Sequence, residues 1–377
     1  MACILVSLVS EQTIPNLLLM KELSGVDKYL LISTKAMEEK DRSTCIIAAS
    51  GLPEEQFKRI LVQEDVLSSI DEQLRALFRR RSTSSDDPFL CNTDEFIVNL
   101  TGGTKIMSIA TYNCFKERNS KIYYIPIGKN QYFQIYPEIP SGEHPINYRV
   151  DIPTYLTAYG VTIENSKKIY SVKKDADQTQ RFFDCYIKAA PSDLELIDSL
   201  REYRKKKIAI AEVDGLASFL ERFSFRPSDP ENLSKDDVKY LTGDWFEEYV
   251  FSLFKSKLQF SDKYIATGIN IRRRQTPNEF DVMFMLQNNL HVIECKTSIG
   301  DGDKSILVET LYKSAALRKD FGLAAKTYLF TLTEGGKEKT QIKPGDIDRG
   351  RMLGVDIIDR GILLDQNKLD GFFQKLR

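Results

Sequence analysis

The chain has 377 residues, 42% hydrophobic and 28% charged, with a formal net charge of −1, ordinary values for a globular protein of two or three domains. No global field draws such a protein to nucleic acid, so any polyanion contact must come from local patches. Six scattered cysteines without a C-x-x-C pair, and only His144 and His291, argue against a zinc site of the usual kind and for reduced thiols. The start "MACILVSLVSEQ" lacks the basic n-region of a signal peptide, and no later run approaches ~18 apolar residues. A cytoplasmic location with no membrane contact is expected.

Taken in order, the first third alternates β-rich and helical stretches. "CILVSLVS" reads as a strand, Pro15 to Met20 as helix-like, "KYLLIST" and "STCIIAAS" as strands, and about Val62 to Arg81 as a helix. The strand "EFIVNL", a helix from about Lys105 to Arg118 and the strand "KIYYIPIG" follow. This βαβ rhythm with nearly continuous apolar strands predicts an α/β fold, a doubly wound sheet with helices on both faces and ligands at its strand ends. "YPEIPSGEHP" closes this first domain near residue 140. Residues 141–235 read as a connecting helical segment, including "IPTYLTAYG" and "DLELIDSLREYRKKKIAIAEVDGLASFLERF". Residues 236–377 form a last unit of helix, strands, helix and strand.

Two stretches carry chemistry. In "EFDVMFMLQNNLHVIECKT" two apolar strands flank Gln287, Asn288 and Asn289, residues suited to a tight hairpin because Asn tolerates positive φ. A turn at Asn288-Asn289 sets Asp281 opposite Lys296; a turn one residue earlier sets Asp281 opposite Glu294. Both registers gather Asp281, Glu294 and Lys296 on one sheet face. Two carboxylates and an ammonium there carry a large desolvation cost unless paired or bound to metal. Their hard oxygens suit Mg²⁺ or Mn²⁺, and a Lys beside them could orient water or offset developing charge on a phosphoryl group. Cys295, between Glu294 and Lys296, points to the other face and is a core residue. The bland reading of the three is a solvated sheet face with Lys296 as ion-pair partner.

The second stretch is "NLTGGTKIMSIA". It is too compressed for G-x-x-x-x-G-K-[ST]. Backbone N–H groups of Thr101, Gly102, Gly103, Thr104 and Lys105, with a helix N-terminus behind them, can instead cradle an anionic phosphate. "SEQTIPN" after the first strand adds Ser10, Glu11, Gln12 and Thr13 at the same sheet end. The alternative is a plain strand-to-helix turn.

The D-x12-E-x-K pattern resembles the PD-(D/E)xK nuclease superfamily over roughly residues 236–340. The resemblance implies a restriction-endonuclease-like α/β domain, catalytic Asp281, Glu294 and Lys296, and a metal held by Asp281, Glu294 and the Cys295 carbonyl. An upstream G-x-x-x-E places a further catalytic carboxylate at Glu247. Helical phase alone does not separate Glu247 from Glu248. Arg272 to Arg274 and, after the catalytic strands, Tyr312 and Lys313 are candidate substrate contacts, each with a structural alternative: a solvated strand edge for the arginines and an ordinary packing helix for Tyr312.

"TGGTK" together with "SEQTIPN" resembles the CRISPR-associated Rossmann-fold (CARF) sensor domains, and the two halves resemble CARF-nuclease ancillary effectors of type III CRISPR-Cas systems. That likeness implies a homodimer, cyclic tetra-adenylate as allosteric activator at Ser10, Gln12, Thr13 and Thr101 to Lys105, and cleavage of single-stranded RNA or DNA or nicking of supercoiled DNA. The rivals are a ligand-independent restriction or repair endonuclease and a non-catalytic sensor with a decayed nuclease half.

Overall fold

The computed structural model describes residues 1–78, 89–140, 142–273, 275–299, 304–335 and 342–376. Its first sheet has the order β3-β2-β1-β4-β5-β6-β7. The strands are β1 (Cys3–Leu8), β2 (Lys28–Ser33), β3 (Phe57–Leu61), β4 (Glu95–Asn99), β5 (Ser120–Tyr124), β6 (Gln131–Tyr136) and β7 (Glu143–Pro145). β1 to β5 are parallel, and β6 and β7 extend the sheet antiparallel. Helices cover both faces: alternate residues of the central strands enter two cores, Leu5, Leu31 and Ile97 in one, Val6, Leu30 and Val98 in the other. Burial on both sides is why these strands read as continuous apolar runs.

One strand was expected in the wrong place. "STCIIAAS" lies in a helix, Arg42–Ser50, ended by Gly51 at φ 63°; a short apolar run does not distinguish strand from buried helix. The strand at that point in the order is β3, "FKRIL", an edge strand whose side chains are all at least partly exposed. The helix expected from about Val62 runs Leu67–Ala76, and residues 79–81 of that expectation lie outside the described residues. Helices Ile14–Glu22 and Lys105–Lys116 stand where the sequence placed them.

The second sheet has the order β15-β14-β13-β12-β11-β8. It comprises β8 (Thr162–Ile163), β11 (Ile265–Arg273), β12 (Thr276–Leu286), β13 (Asn289–Lys296), β14 (Lys326–Thr331) and β15 (Val355–Ile358), while β9 (Ile208–Ala209) and β10 (Asn232–Leu233) pair separately. β13, β14 and β15 are parallel to one another and the other pairs antiparallel. Helix Trp245–Leu258 packs on β11, β12 and β13.

The segment 141–235 is divided between its neighbours. Tyr155 and Leu156 join a core that runs from Leu5 and Leu17 to Ala266, Phe280, Val292 and Phe321, while Phe182 and Phe219 join Trp245, Phe246 and Phe284. The long helix suggested by "DLELIDSLREYRKKK" stops at Leu200; a tight turn, Arg201–Tyr203, and β9 follow. Five cations within seven residues repel one another along a helix.

Candidate functional site

The β12–β13 hairpin turns at Gln287 and Asn288, with φ of 50° and 62°. Leu286 pairs with Asn289 and Val282 with Ile293, so the next facing pair is Asp281 and Glu294. This is the second of the two registers the sequence allowed. The Cys295 amide donates to Asp281 Oδ2 at 2.6 Å. Lys296 Nζ donates to Glu294 Oε1 at 2.7 Å and lies 3.9 Å from Asp281 Oδ2. Cys295 turns its thiol into the core that holds Trp245 and Phe330. From helix Lys304–Asp320, Lys313 Nζ comes to 3.7 Å from Glu294 Oε2.

Asp281 and Glu294 are both buried. Burial, then the facing Glu294, push the Asp281 carboxyl up to about 7. Burial alone would lower the Lys296 ammonium, but Asp281 and Glu294 outweigh it and hold it above its usual value. Two ammoniums, Lys296 and Lys313, stand against the three carboxylates Asp281, Glu294 and Glu247, which leaves negative charge short of a partner that a cation would supply.

Helix Trp245–Leu258 separates the two glutamates that sequence phase could not. Glu248 is buried and accepts from the backbone N–H groups of Lys173 at 2.7 Å and Lys174 at 3.2 Å. Glu247 looks to the acidic face: burial, then Asp281, Asp244 and Glu279, raise its carboxyl well above the ordinary range. Among the described residues no group of three or more His, Cys, Asp or Glu side chains is arranged to hold an ion. Asp281 and Glu294 offer two facing carboxylates, hard oxygen donors of the kind Mg²⁺ or Mn²⁺ takes while keeping several waters. Of the arginine run, Arg272 is paired with Glu164 at 2.6 Å and Arg273 with Asp320, while Arg274 lies outside the described residues. Tyr312 is exposed.

The glycine turn sits at the C-terminal ends of β1 and β4, where the strand order reverses and open α/β sheets bind ligands. Gly102 has φ 110° and Gly103 φ 62°. A Cβ on Gly102 would lie 2.7 Å from the Leu8 carbonyl oxygen and 3.0 Å from Ser10 Oγ, so glycine lets this turn close on β1. Thr101 is buried and its hydroxyl accepts from the Ile125 amide at 2.6 Å. Thr104 caps helix Lys105–Lys116, accepting from Met107 N and donating to Glu64 O at 2.8 Å, and Lys105 is exposed.

The β1 loop is parted. Ser10 stays at the glycine turn and its Oγ accepts from Gln12 N at 3.2 Å. Gln12 turns to the other half, where its Oε1 accepts from Leu323 N at 2.9 Å. Thr13 is fully buried.

Residues 4–155 match the family model of the Card1 CARF domain, and residues 234–365 match that of the Card1-like endonuclease domain. The chain belongs to the Card1-like CARF endonucleases. Among solved structures, this CARF endonuclease is similar to Can2 from Sulfobacillus thermosulfidooxidans in complex with cyclic tetra-adenylate, at 20% identity and TM-score 0.72 over 98% of this chain and 99% of that one. It is similar to protein VC1899 from Vibrio cholerae, at 19% identity and TM-score 0.73 over 99% and 98%. A type III CRISPR defence DNA nuclease activated by cyclic oligoadenylate matches 93% of this chain with 51% of its own, at 16% identity and TM-score 0.53. At these identities the likeness is one of fold. No curated protein sequence matches the chain.

Several residues of this CARF endonuclease escaped the sequence reading. Asn99 donates to Asn16 at 3.0 Å, and Asn16 to the Leu8 carbonyl at 2.9 Å, fixing the two strand ends beneath the glycine turn. Arg42 is buried and ties Glu11, at 2.8 Å, to the Tyr159 carbonyl. Asn288 bonds Val150, Asn130 and Tyr148 across the two halves. A buried polar side chain is the signal these share, and burial is invisible in one sequence.

Proposed function

We propose that this CARF endonuclease is a metal-dependent phosphodiesterase of type III CRISPR antiviral defence. It acts as a homodimer that cyclic tetra-adenylate activates, cleaving single-stranded RNA or DNA and nicking supercoiled DNA. The observation that carries the nuclease half is the facing pair Asp281 and Glu294 with Lys296 bonded between them. Asp281, Glu294 and the Cys295 carbonyl would hold Mg²⁺ or Mn²⁺, which supplies Lewis acidity at the scissile phosphate. Lys296 keeps its proton beside two carboxylates and sits where it can steady the attacking water or the charge that grows on the phosphate oxygens. Glu247 adds a carboxylate from the helix side, and its raised affinity for a proton suits proton exchange with that water.

The sensor half is supported by the family match and by the glycine turn at the switch point. Gly102, Gly103 and Lys105, with Ser10 beside them, are the part of that site open to a phosphate; Thr101 and Thr104 shape it. Can2 is a fold neighbour solved with cyclic tetra-adenylate.

The test incubates the purified protein with Mn²⁺, labelled single-stranded RNA and supercoiled plasmid, with and without cyclic tetra-adenylate. Cleavage is expected only with the messenger, and Glu294→Ala is expected to abolish it while messenger binding survives. Cleavage by Glu294→Ala would overturn the assigned site. Cleavage by the wild type regardless of messenger would remove the sensor assignment and leave the nuclease standing.

A further inference from the structure

Resting on the nuclease reading above, we propose that the basic turn Arg201–Lys207, in the segment between the two halves, is a phosphate-backbone binding wall beside the cleavage face, with nucleic acid as its ligand.

The run "REYRKKK" carries Arg201, Arg204, Lys205, Lys206 and Lys207 against the single acid Glu202. All five cations are exposed. In a chain of net charge −1 this is a local concentration of positive charge, and its position is specific. Arg201 Nη2 reaches to 3.4 Å from the hydroxyl of Thr297, the residue after Lys296. Arg204 Nη2 donates to Asp244 at 3.1 Å, and Lys173 Nζ donates to the other oxygen of the same carboxylate at 2.6 Å. Asp244 lies three residues before Glu247, at the start of the helix that presents Glu247 to Asp281. The turn is thus fastened beside the cleavage face at two points, one at Thr297 just past the strand of Glu294 and Lys296 and one at Asp244, the N-cap of the helix of Glu247.

A face of buried carboxylates repels a polyanion, and a substrate phosphate needs cations at its rim to approach it. Asp244 does not cancel that rim, because it holds two cations with one charge. Arg201 is paired with Asp198 at 3.1 Å and Lys207 with Asp229 at 3.0 Å. Lys205 and Lys206 have no ion-pair partner among the described residues and are the cations free for phosphate. Contacts of this kind carry no sequence information, and each one made to a single strand adds about 0.7 to the salt slope of binding.

The test uses the full chain with the double substitution Lys205→Ala and Lys206→Ala, which removes no described contact. Binding of labelled 20-nucleotide single-stranded RNA and DNA is measured across a salt series with Ca²⁺ in place of Mn²⁺, together with the thermal midpoint. The expected result is weaker binding of both strands, a salt slope reduced by about 1.4, and an unchanged midpoint, with Lys205→Arg and Lys206→Arg restoring the wild-type slope. An unchanged slope and affinity in the alanine variant would overturn the proposal while leaving Asp281, Glu294 and Lys296 as the cleavage site. Loss of slope in a protein that cleaves under no condition would sustain the binding wall and sink the nuclease reading.

Discussion

Replacing Asn288 with alanine isolates the hydrogen bonds that fasten the β12–β13 hairpin to the CARF half. Asn288 is buried, its Oδ1 accepts from Val150 N at 2.8 Å, and its Nδ2 donates to Asn130 Oδ1 at 2.8 Å and to the Tyr148 carbonyl at 2.9 Å. Alanine removes two donated bonds, worth about 1 kcal/mol each. It also leaves the amide of Val150, itself buried, without its acceptor, at about 1–3 kcal/mol. Because φ is 62°, a left-handed conformation that Asn tolerates and alanine does not, the backbone adds about 1 kcal/mol. The expected loss is about 4–6 kcal/mol for Asn288→Ala. Asn288→Gly should lose about 1 kcal/mol less, since only the backbone contribution is relieved. Urea unfolding followed by tryptophan fluorescence suits the measurement, since the single Trp245 lies in the core beneath the hairpin strands. A loss below about 1 kcal/mol for alanine, or glycine no better than alanine, would refute this account of the turn.

Neighbouring glutamates should respond oppositely. Glu248→Ala orphans the amides of Lys173 and Lys174 and is expected to lower stability by about 2–3 kcal/mol, with cleavage following the folded fraction. Glu247→Ala removes a carboxylate whose ionisation burial and Asp281 oppose, so the thermal midpoint should hold or rise while cleavage falls at least about tenfold; the reverse pattern would reassign the two. Burial, then Lys326, hold the His291 imidazole down at about 3, below its ordinary 6.5, so it is neutral in the fold and gains a proton on unfolding below that ordinary value. Its contribution is full above pH 6.5 and falls as pH drops toward 3, a loss of about 2 kcal/mol by pH 5. His291→Gln should flatten that part of the stability–pH curve, and a curve parallel to wild type would count against it. At Gly102, alanine should abolish activation by cyclic tetra-adenylate because its Cβ meets the Leu8 carbonyl and Ser10, while messenger-independent folding of the nuclease half, read by hydrogen exchange on β12 and β13, persists.

That Asp281, Glu294 and Lys296 share a face was legible because it depends only on alternation and on a hairpin of small offset, and it holds in either register. The choice between registers was not, because Gln287, Asn288 and Asn289 all suit a turn and the decision lies in what Asn288 bonds 138 residues away at Val150. Glu247 and Glu248 are equivalent by helical phase and are told apart by the amides of Lys173 and Lys174, which no local pattern places. "STCIIAAS" was misread because short apolar runs are shared by strands and buried helices, and β3 was missed because an exposed edge strand has no apolar signature. The β1 loop was placed correctly at the sheet end, yet the roles within it depend on neighbours: Gln12 is claimed by Leu323 and Thr13 by the core.

The continuity of the core bears on how a messenger could control cleavage. One apolar cluster runs from Leu5 in the first sheet through Tyr155 to Met283 and Val292 in the second, so the halves are packed surfaces rather than tethered bodies. Along that contact Gly102 abuts Ser10, Ser10 bonds Gln12, and Gln12 bonds Leu323. Leu323 follows helix Lys304–Asp320, whose Lys313 faces Glu294. Tyr155 holds the Phe321 carbonyl at 2.6 Å on the same loop, and a Cβ at Gly322 would run into the Tyr159 hydroxyl. Contiguity alone is not coupling; a ligand shifts an arrangement only by binding a second one more tightly. We infer that a displacement of Ser10 and Gln12 on ligand binding would pass through the Gln12–Leu323 bond to the loop after helix Lys304–Asp320, whose Lys313 lies 3.7 Å from Glu294.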